Sequence, residues 1–243
     1  MATAQRGQKY DRGSTVFSPD GELFQVQYAQ EAVKKGLTAL GIKSSSGVIL
    51  AAEKRKRSEL VEARSVEKVF QIDDLLGVAT SGLIADARIL TDEARRKAQI
   101  NRLRYDEALM PQTLAEEIGA IKQTYTQHGG VRPFGIKFLI GGVGEREAQL
   151  YETDPSGTIS SYKAQAIGDK AEEARNVLED RYGTGMGIDE MIRLALITLD
   201  EVIEENINFE RVEIGKIDSE NKKFSKMSSS DISEAIDSLN LSD

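Results

Sequence analysis

The chain has 243 residues, with 32 Lys+Arg against 40 Asp+Glu and a formal net charge of -8. It contains no Cys and a single His, which excludes disulfides, thiol catalysis, thiolate metal sites and zinc hydrolases built on several imidazoles. The acidic balance argues against nucleic-acid binding, and no apolar run approaches the roughly 20 residues that span a bilayer. The expectation is a globular chain in the cytoplasm with no cofactor, metal, nucleic acid or membrane partner, since the N-terminal stretch also lacks the apolar core of a signal peptide.

Residues 1–9 are small and polar without periodicity and read as a mobile arm. Ser18-Pro19-Asp20-Gly21 has the composition of a type I turn. A helix is predicted from about Glu22 to Lys35, with Leu23, Val26, Tyr28, Ala29, Ala32 and Val33 recurring at helical spacing, Lys34 and Lys35 in the last turn and Gly36 as its stop. Strand pairs follow: Leu37–Lys43 with Val48–Ala52 around Ser44-Ser45-Ser46-Gly47, then Val69–Ile72 with Leu75–Ala79.

After Ser81-Gly82 the period becomes helical, with Leu83, Ala87, Leu90, Ala94 and Ala98 on one stripe. A second helix follows Pro111, with Leu114, Ile118, Ile121 and Tyr125 as its apolar face and Gly129-Gly130 as its end. The second half repeats this plan. Ile136–Ile140, Ala148–Glu152 and Ser160–Ala166 are expected strands, Ala171–Tyr182 and Ile188–Glu205 helices, and Val212–Ile217 and Lys223–Phe224 strands. Asp231 is expected to cap a final helix with Glu234 three residues on, over residues 231–240. Strands, paired helices, strands and paired helices predict an α+β chain: two antiparallel sheets, each covered by helices, in a single domain over 1–243.

Several motifs favour plain readings. Gly141-Gly142-Val143-Gly144 lies between two strands with no following helix and no Gly-Lys-Ser/Thr, so a hairpin turn is preferred over a phosphate loop. Gly183, Gly185 and Gly187 join two helices. Lys54-Arg55-Lys56-Arg57 is followed by Glu59, Glu62 and Glu67 and reads as a solvated loop. His128 reads as a helix-end residue.

The stretch from Tyr10-Asp11-Arg12-Gly13 through Phe17-Ser18-Pro19-Asp20-Gly21 and Gln25-Val26-Gln27-Tyr28-Ala29 to Lys35-Gly36 closely resembles the N-terminal signature of proteasome α subunits, particularly the archaeal type. The resemblance continues through Ser65-Val66-Glu67-Lys68, Thr80-Ser81-Gly82-Leu83-Ile84-Ala85-Asp86-Ala87-Arg88, Gly129-Gly130-Val131-Arg132-Pro133-Phe134-Gly135 and Asp154-Pro155-Ser156-Gly157. It implies the N-terminal-nucleophile hydrolase architecture, a four-layer αββα sandwich. Catalytic members of that superfamily, the β subunits, use an N-terminal Thr whose free amine is the base, supported by a Lys and an acidic residue. By resemblance Glu53 and Lys68 occupy the supporting positions, while Leu37 stands where the Thr would be and has no hydroxyl to activate.

The resemblance therefore implies a non-catalytic α subunit that forms a seven-membered ring with copies of its kind and caps a ring of β subunits. It implies that the arm, residues 1–12, gates unfolded protein substrates, and that the helix at 22–35 packs against the neighbouring subunit. It implies a gate cluster of Tyr10, Asp11, Pro19 and Tyr28. It also implies a pocket of Lys68, Gly36, Leu23 and Gly82 that receives the C-terminus of a regulatory ATPase, hydrophobic–Tyr–any residue, with Lys68 pairing its carboxylate. Gln27 and Gln30 depart from the family, where Glu and Arg are frequent at these two positions.

Overall fold

The computed structural model describes residues 15–55, 58, 60–145, 147–204 and 206–240. Helix α1 spans Phe24–Lys34. Strands β1 (Ala39–Ser44) and β2 (Gly47–Glu53) follow, then β3 (Val69–Asp73), β4 (Leu76–Gly82), helix α2 (Ile84–Tyr105) and helix α3 (Pro111–Gln127). The second half runs β5 (Ile136–Val143), β6 (Ala148–Thr153), β7 (Ile159–Ser161), β8 (Ala164–Ile167), α4 (Ala171–Arg181), α5 (Ile188–Val202), β9 (Val212–Asp218), β10 (Lys223–Lys226) and α6 (Ser229–Asn240).

The strands form two five-stranded sheets, ordered β10-β9-β2-β1-β8 and β3-β4-β5-β6-β7, and every pairing is antiparallel. Helices α4, α5 and α6 cover the first sheet, where Leu40, Ile42, Ile49 and Ala51 meet Met191, Ala195, Leu196 and Leu199. Helices α2 and α3 cover the second, where Val78, Phe138 and Ile140 meet Leu90, Leu114 and Ile118. Between the sheets Val48 and Leu50 pack against Ala79, Leu139 and Leu150. The molecule is thus the expected αββα sandwich. Strand β2, buried at all seven positions, has apolar packing on both its faces, and each large side chain there contributes about 1.5–3 kcal/mol. Among the described residues no helix is long and apolar enough to cross a membrane.

Three sequence expectations change. Gly141 and Gly142 lie inside β5, and the turn is Gly144–Glu147, closed by the Gly144 N–H on Glu147 O at 2.9 Å. The reason is close approach: a Cβ on Gly141 would stand 2.7 Å from Val48 Cγ1 of the facing sheet. The predicted strand Ser160–Ala166 breaks at Tyr162-Lys163, so that β7 pairs with β6 in one sheet and β8 with β1 in the other. The Tyr162 N–H bonds Leu150 O, and the Lys163 carbonyl accepts from Lys43, so successive residues belong to different sheets. At α6 the capping position belongs to Ser228, not Asp231: Ser228 Oγ accepts the Asp231 N–H (3.2 Å) while Asp231 Oδ2 accepts the Ser228 N–H (3.1 Å). This is a capping box with Asp at its third position.

Candidate functional site

One end of the sandwich gathers the stop of α1, the start of β1, the residues entering β3 and the end of β4. Gly36 ends the helix with its N–H on Val33 O at 2.8 Å, and its carbonyl accepts the Asp169 N–H at 2.7 Å. Leu37 follows, half-buried, and its carbonyl oxygen is the centre of the site. It accepts from Lys68 Nζ at 2.6 Å and from Ser81 Oγ at 2.8 Å. The Thr38 hydroxyl donates away from this centre, to Asp169 O.

Glycine permits the crowding. A Cβ on Gly36 would lie 2.4 Å from Gly82 N, and one on Gly168 would lie 2.7 Å from Leu37 O. Gly82 and Gly168 also hold positive φ angles of 125° and 98°, which disfavour any side chain. The structure therefore brings Gly36, Lys68 and Gly82 together around the Leu37 backbone.

Lys68 is 7% exposed. Burial pushes its amine down to about 7, against the attraction of Glu53 and Glu213, which favours the charged form. Two of its three N–H groups point to carbonyls, Leu37 O and, at a long 3.5 Å, Thr38 O. Among the described residues its third N–H meets no acceptor. Glu53, also buried, pairs with Arg55 at 3.4 Å and reaches Lys68 only through its field. An amine so placed holds a backbone carbonyl, titrates near neutrality and can receive an anionic oxygen.

The other predicted residues that are described lie apart from this centre. Leu23 sits at the opposite end of α1 from Gly36, about 20 Å away at the helical rise. There it lines an open groove of about 620 Å³ with Phe17, Val26, Gln27, Gln30 and Thr126. Pro19 is exposed at the second position of the Ser18–Gly21 turn, which the Gly21 N–H closes on Ser18 O at 2.9 Å. The buried Ser18 hydroxyl accepts the Glu22 N–H at 3.1 Å, tying this turn to the approach to α1. Tyr28 is half-exposed on α1. Tyr10 and Asp11 lie outside the described residues.

Sequence reasoning missed four features of this molecule. Glu213 on β9 accepts the N–H groups of Lys68 (3.1 Å) and Val69 (3.0 Å), a contact made 145 residues away along the chain. Gly168 and Asp169 close the site from the end of β8, with only an isolated glycine as a signal. The buried Asp86 explains two recognised blocks at once. Its carboxylate accepts from Arg132 Nη1 (2.7 Å), Arg132 Nη2 (2.6 Å) and the Gly135 N–H (2.8 Å). Finally, the buried face of α3 runs through Leu114, Ile118, Lys122 and Thr126, while Tyr125 lies at its rim against Phe134. Lys122 had a signal in its spacing, four residues beyond Ile118.

Comparison with known proteins places this sequence in a family. A sequence profile for proteasome subunits matches residues 33–217, and a second profile, for the N-terminal signature of A-type proteasome subunits, matches residues 10–32. The chain is 49% identical over 230 residues to the proteasome alpha subunit of Methanothermobacter thermautotrophicus, covering 95% of this chain and 93% of that protein. It is 46% identical to the proteasome alpha 2 subunit of Haloarcula marismortui, covering 96% of each. It is 51% identical to the proteasome alpha subunit of Methanosarcina mazei, covering 90% of this chain and 88% of that protein. With two profiles meeting at the end of α1 and relatives aligned along nine-tenths of its length, the chain belongs to the proteasome α-subunit family.

Proposed function

We propose that the chain is a single α-type domain that does no peptide chemistry, builds the outer ring of a proteasome core particle and controls passage of unfolded substrates to β subunits. Residues 1–12 act as the gate, with Tyr10, Asp11, Pro19 and Tyr28 holding it open. The observation that carries this reading is Leu37: this residue, two before β1, has no hydroxyl, is peptide-bonded to a helix-capping glycine, and has its carbonyl held by Lys68 and Ser81. The amine that would support a nucleophile is engaged with a backbone oxygen instead.

In this reading Lys68 receives the terminal carboxylate of a regulatory ATPase ending in hydrophobic–Tyr–any residue. Its remaining N–H and its charge suit a carboxylate, and Gly36 and Gly82 let the end of α1 pack directly against the end of β4 beside it. Leu23, a helix length away in the same chain, reaches such a peptide only if the peptide is long or if it belongs to the neighbouring subunit's half of the pocket. The test is assembly with chemistry. The purified chain should sediment as rings and show no peptide hydrolysis, and removing residues 2–9 should raise small-peptide hydrolysis by the α/β complex without an activator. Robust hydrolysis by the chain alone, or an α/β complex indifferent to the deletion, contradicts the reading.

A further inference from the structure

The direction of the Lys68 side chain depends on a residue of the other sheet. Lys68 and Val69 enter β3 at the edge of one sheet, and both of their N–H groups donate to the same oxygen, Glu213 Oε2, which projects from β9 of the other. Glu213 is 7% exposed, so its two hydrogen bonds are made in a low-dielectric setting where they are strong and directional. Glu67, one residue earlier, pairs with Lys226 of β10 at 3.4 Å, and Lys226 Nζ lies 3.8 Å from Glu213. The segment 67–69 is thereby fixed to β9 and β10 by three polar contacts.

A lysine stem has four rotatable bonds, and its reach onto Leu37 O is set by where the backbone at its root is held. We propose that Glu213 is a positioning residue for the Lys68 docking contact, holding the start of β3 so that the ammonium spans Leu37 O and presents its remaining N–H to a peptide carboxylate. This rests on the docking reading given above. The charged groups around the amine are Glu53 at the end of β2 and Glu213 on β9, with Lys226 on β10 and Glu67 beside it further out. The field of Glu213 also favours the protonated amine.

The experiment measures binding of a synthetic peptide ending Leu-Tyr-Arg, with a free carboxylate, to the assembled α ring between pH 6 and 9. Wild-type affinity should fall as pH rises through the Lys68 titration. Glu213→Gln keeps the shape and an acceptor but not the charge. It should move the midpoint of that fall to lower pH by about half a unit or more while ring assembly persists. Glu213→Asp keeps the charge but not the reach, and should weaken binding by about tenfold at pH 6 with the midpoint little changed. In a Lys68→Ala background neither substitution should weaken binding further, because both act through the amine. Undiminished binding in Glu213→Asp at pH 6, or an additive loss in the Lys68→Ala background, overturns the positioning role while leaving the docking reading intact. Wild-type affinity in Lys68→Ala alone removes the docking reading itself and this inference with it.

Discussion

Lys68 and Lys122 are two buried amines in one fold, and burial pushes both down to about 7. Lys122 reaches from α3 into the second sheet, where its Nζ donates to Ile136 O (3.0 Å), Thr153 O (2.9 Å) and Thr153 Oγ1 (2.9 Å), with the Phe138 ring centroid at 5.1 Å. Three donors meet three acceptors, and the aromatic face supports the remaining positive surface. Lys68 has the same burial, but one donor without an acceptor among the described residues and a position at the seam of α1, β1, β3 and β9. The lesson is that a shifted amine does not mark a function. Saturation and location do: the saturated amine locks a helix to a sheet, and the incompletely paired one is suited to bind.

The comparison breaks first on stability. Lys122→Ala leaves a cavity and takes the ammonium donor from three buried acceptors, and should cost about 3–5 kcal/mol in denaturant unfolding. Lys122→Met should recover part of that loss. Lys68→Ala should cost less, about 1–2 kcal/mol, since Leu37 O keeps the Ser81 hydroxyl. Equal costs for the two alanine variants contradict the distinction.

A second expectation is that both amines make the fold more stable as pH rises above 7. Each has its folded value below the ordinary lysine range, so between about pH 7 and 10 the unfolded chain binds more protons. Unfolding free energy should therefore climb across that window, by up to about 1.4 kcal/mol per pH unit for each lysine, and flatten below it. Lys122→Met and Lys68→Met should each remove a share of the slope. A slope unchanged in either variant shows that the amine in question does not titrate there. The smallest effect belongs to Ser81→Ala, which removes one of two donors to Leu37 O and should cost about 1 kcal/mol. A loss of several kcal/mol there places the structural weight on the hydroxyl and not on the amine.

The legible parts of this fold were those coded by short-range periodicity. β1–β2, β3–β4 and the helices announced themselves through alternation or a helical stripe. What escaped depended on the facing layer. Gly141 resembles a turn residue until Val48 is seen against it, and Tyr162-Lys163 carries no glycine or proline to show that the chain changes sheets there. At the site, Lys68, Gly36 and Gly82 were legible through resemblance, and the structure groups them. Leu23 lies on the far side of α1, because a helix separates its two ends by its own length. Glu213 could not be found from local pattern, since its partners are more than 140 residues away.

The most direct test of the docking claim is calorimetry on the assembled ring with one peptide in two forms, ending Leu-Tyr-Arg as the free acid or as the amide. In the proposed docking the ammonium–carboxylate contact would be charge-assisted and partly desolvated, worth about 1.5–3 kcal/mol. The free acid should therefore bind Lys68→Ala about one to two decades more weakly than wild type. Amidation should reproduce most of that loss on wild type and add little on the variant, because both changes delete the same pair. Equal affinity of wild type and Lys68→Ala for the free acid would contradict the account, leaving Lys68 a clasp on Leu37 with no part in docking.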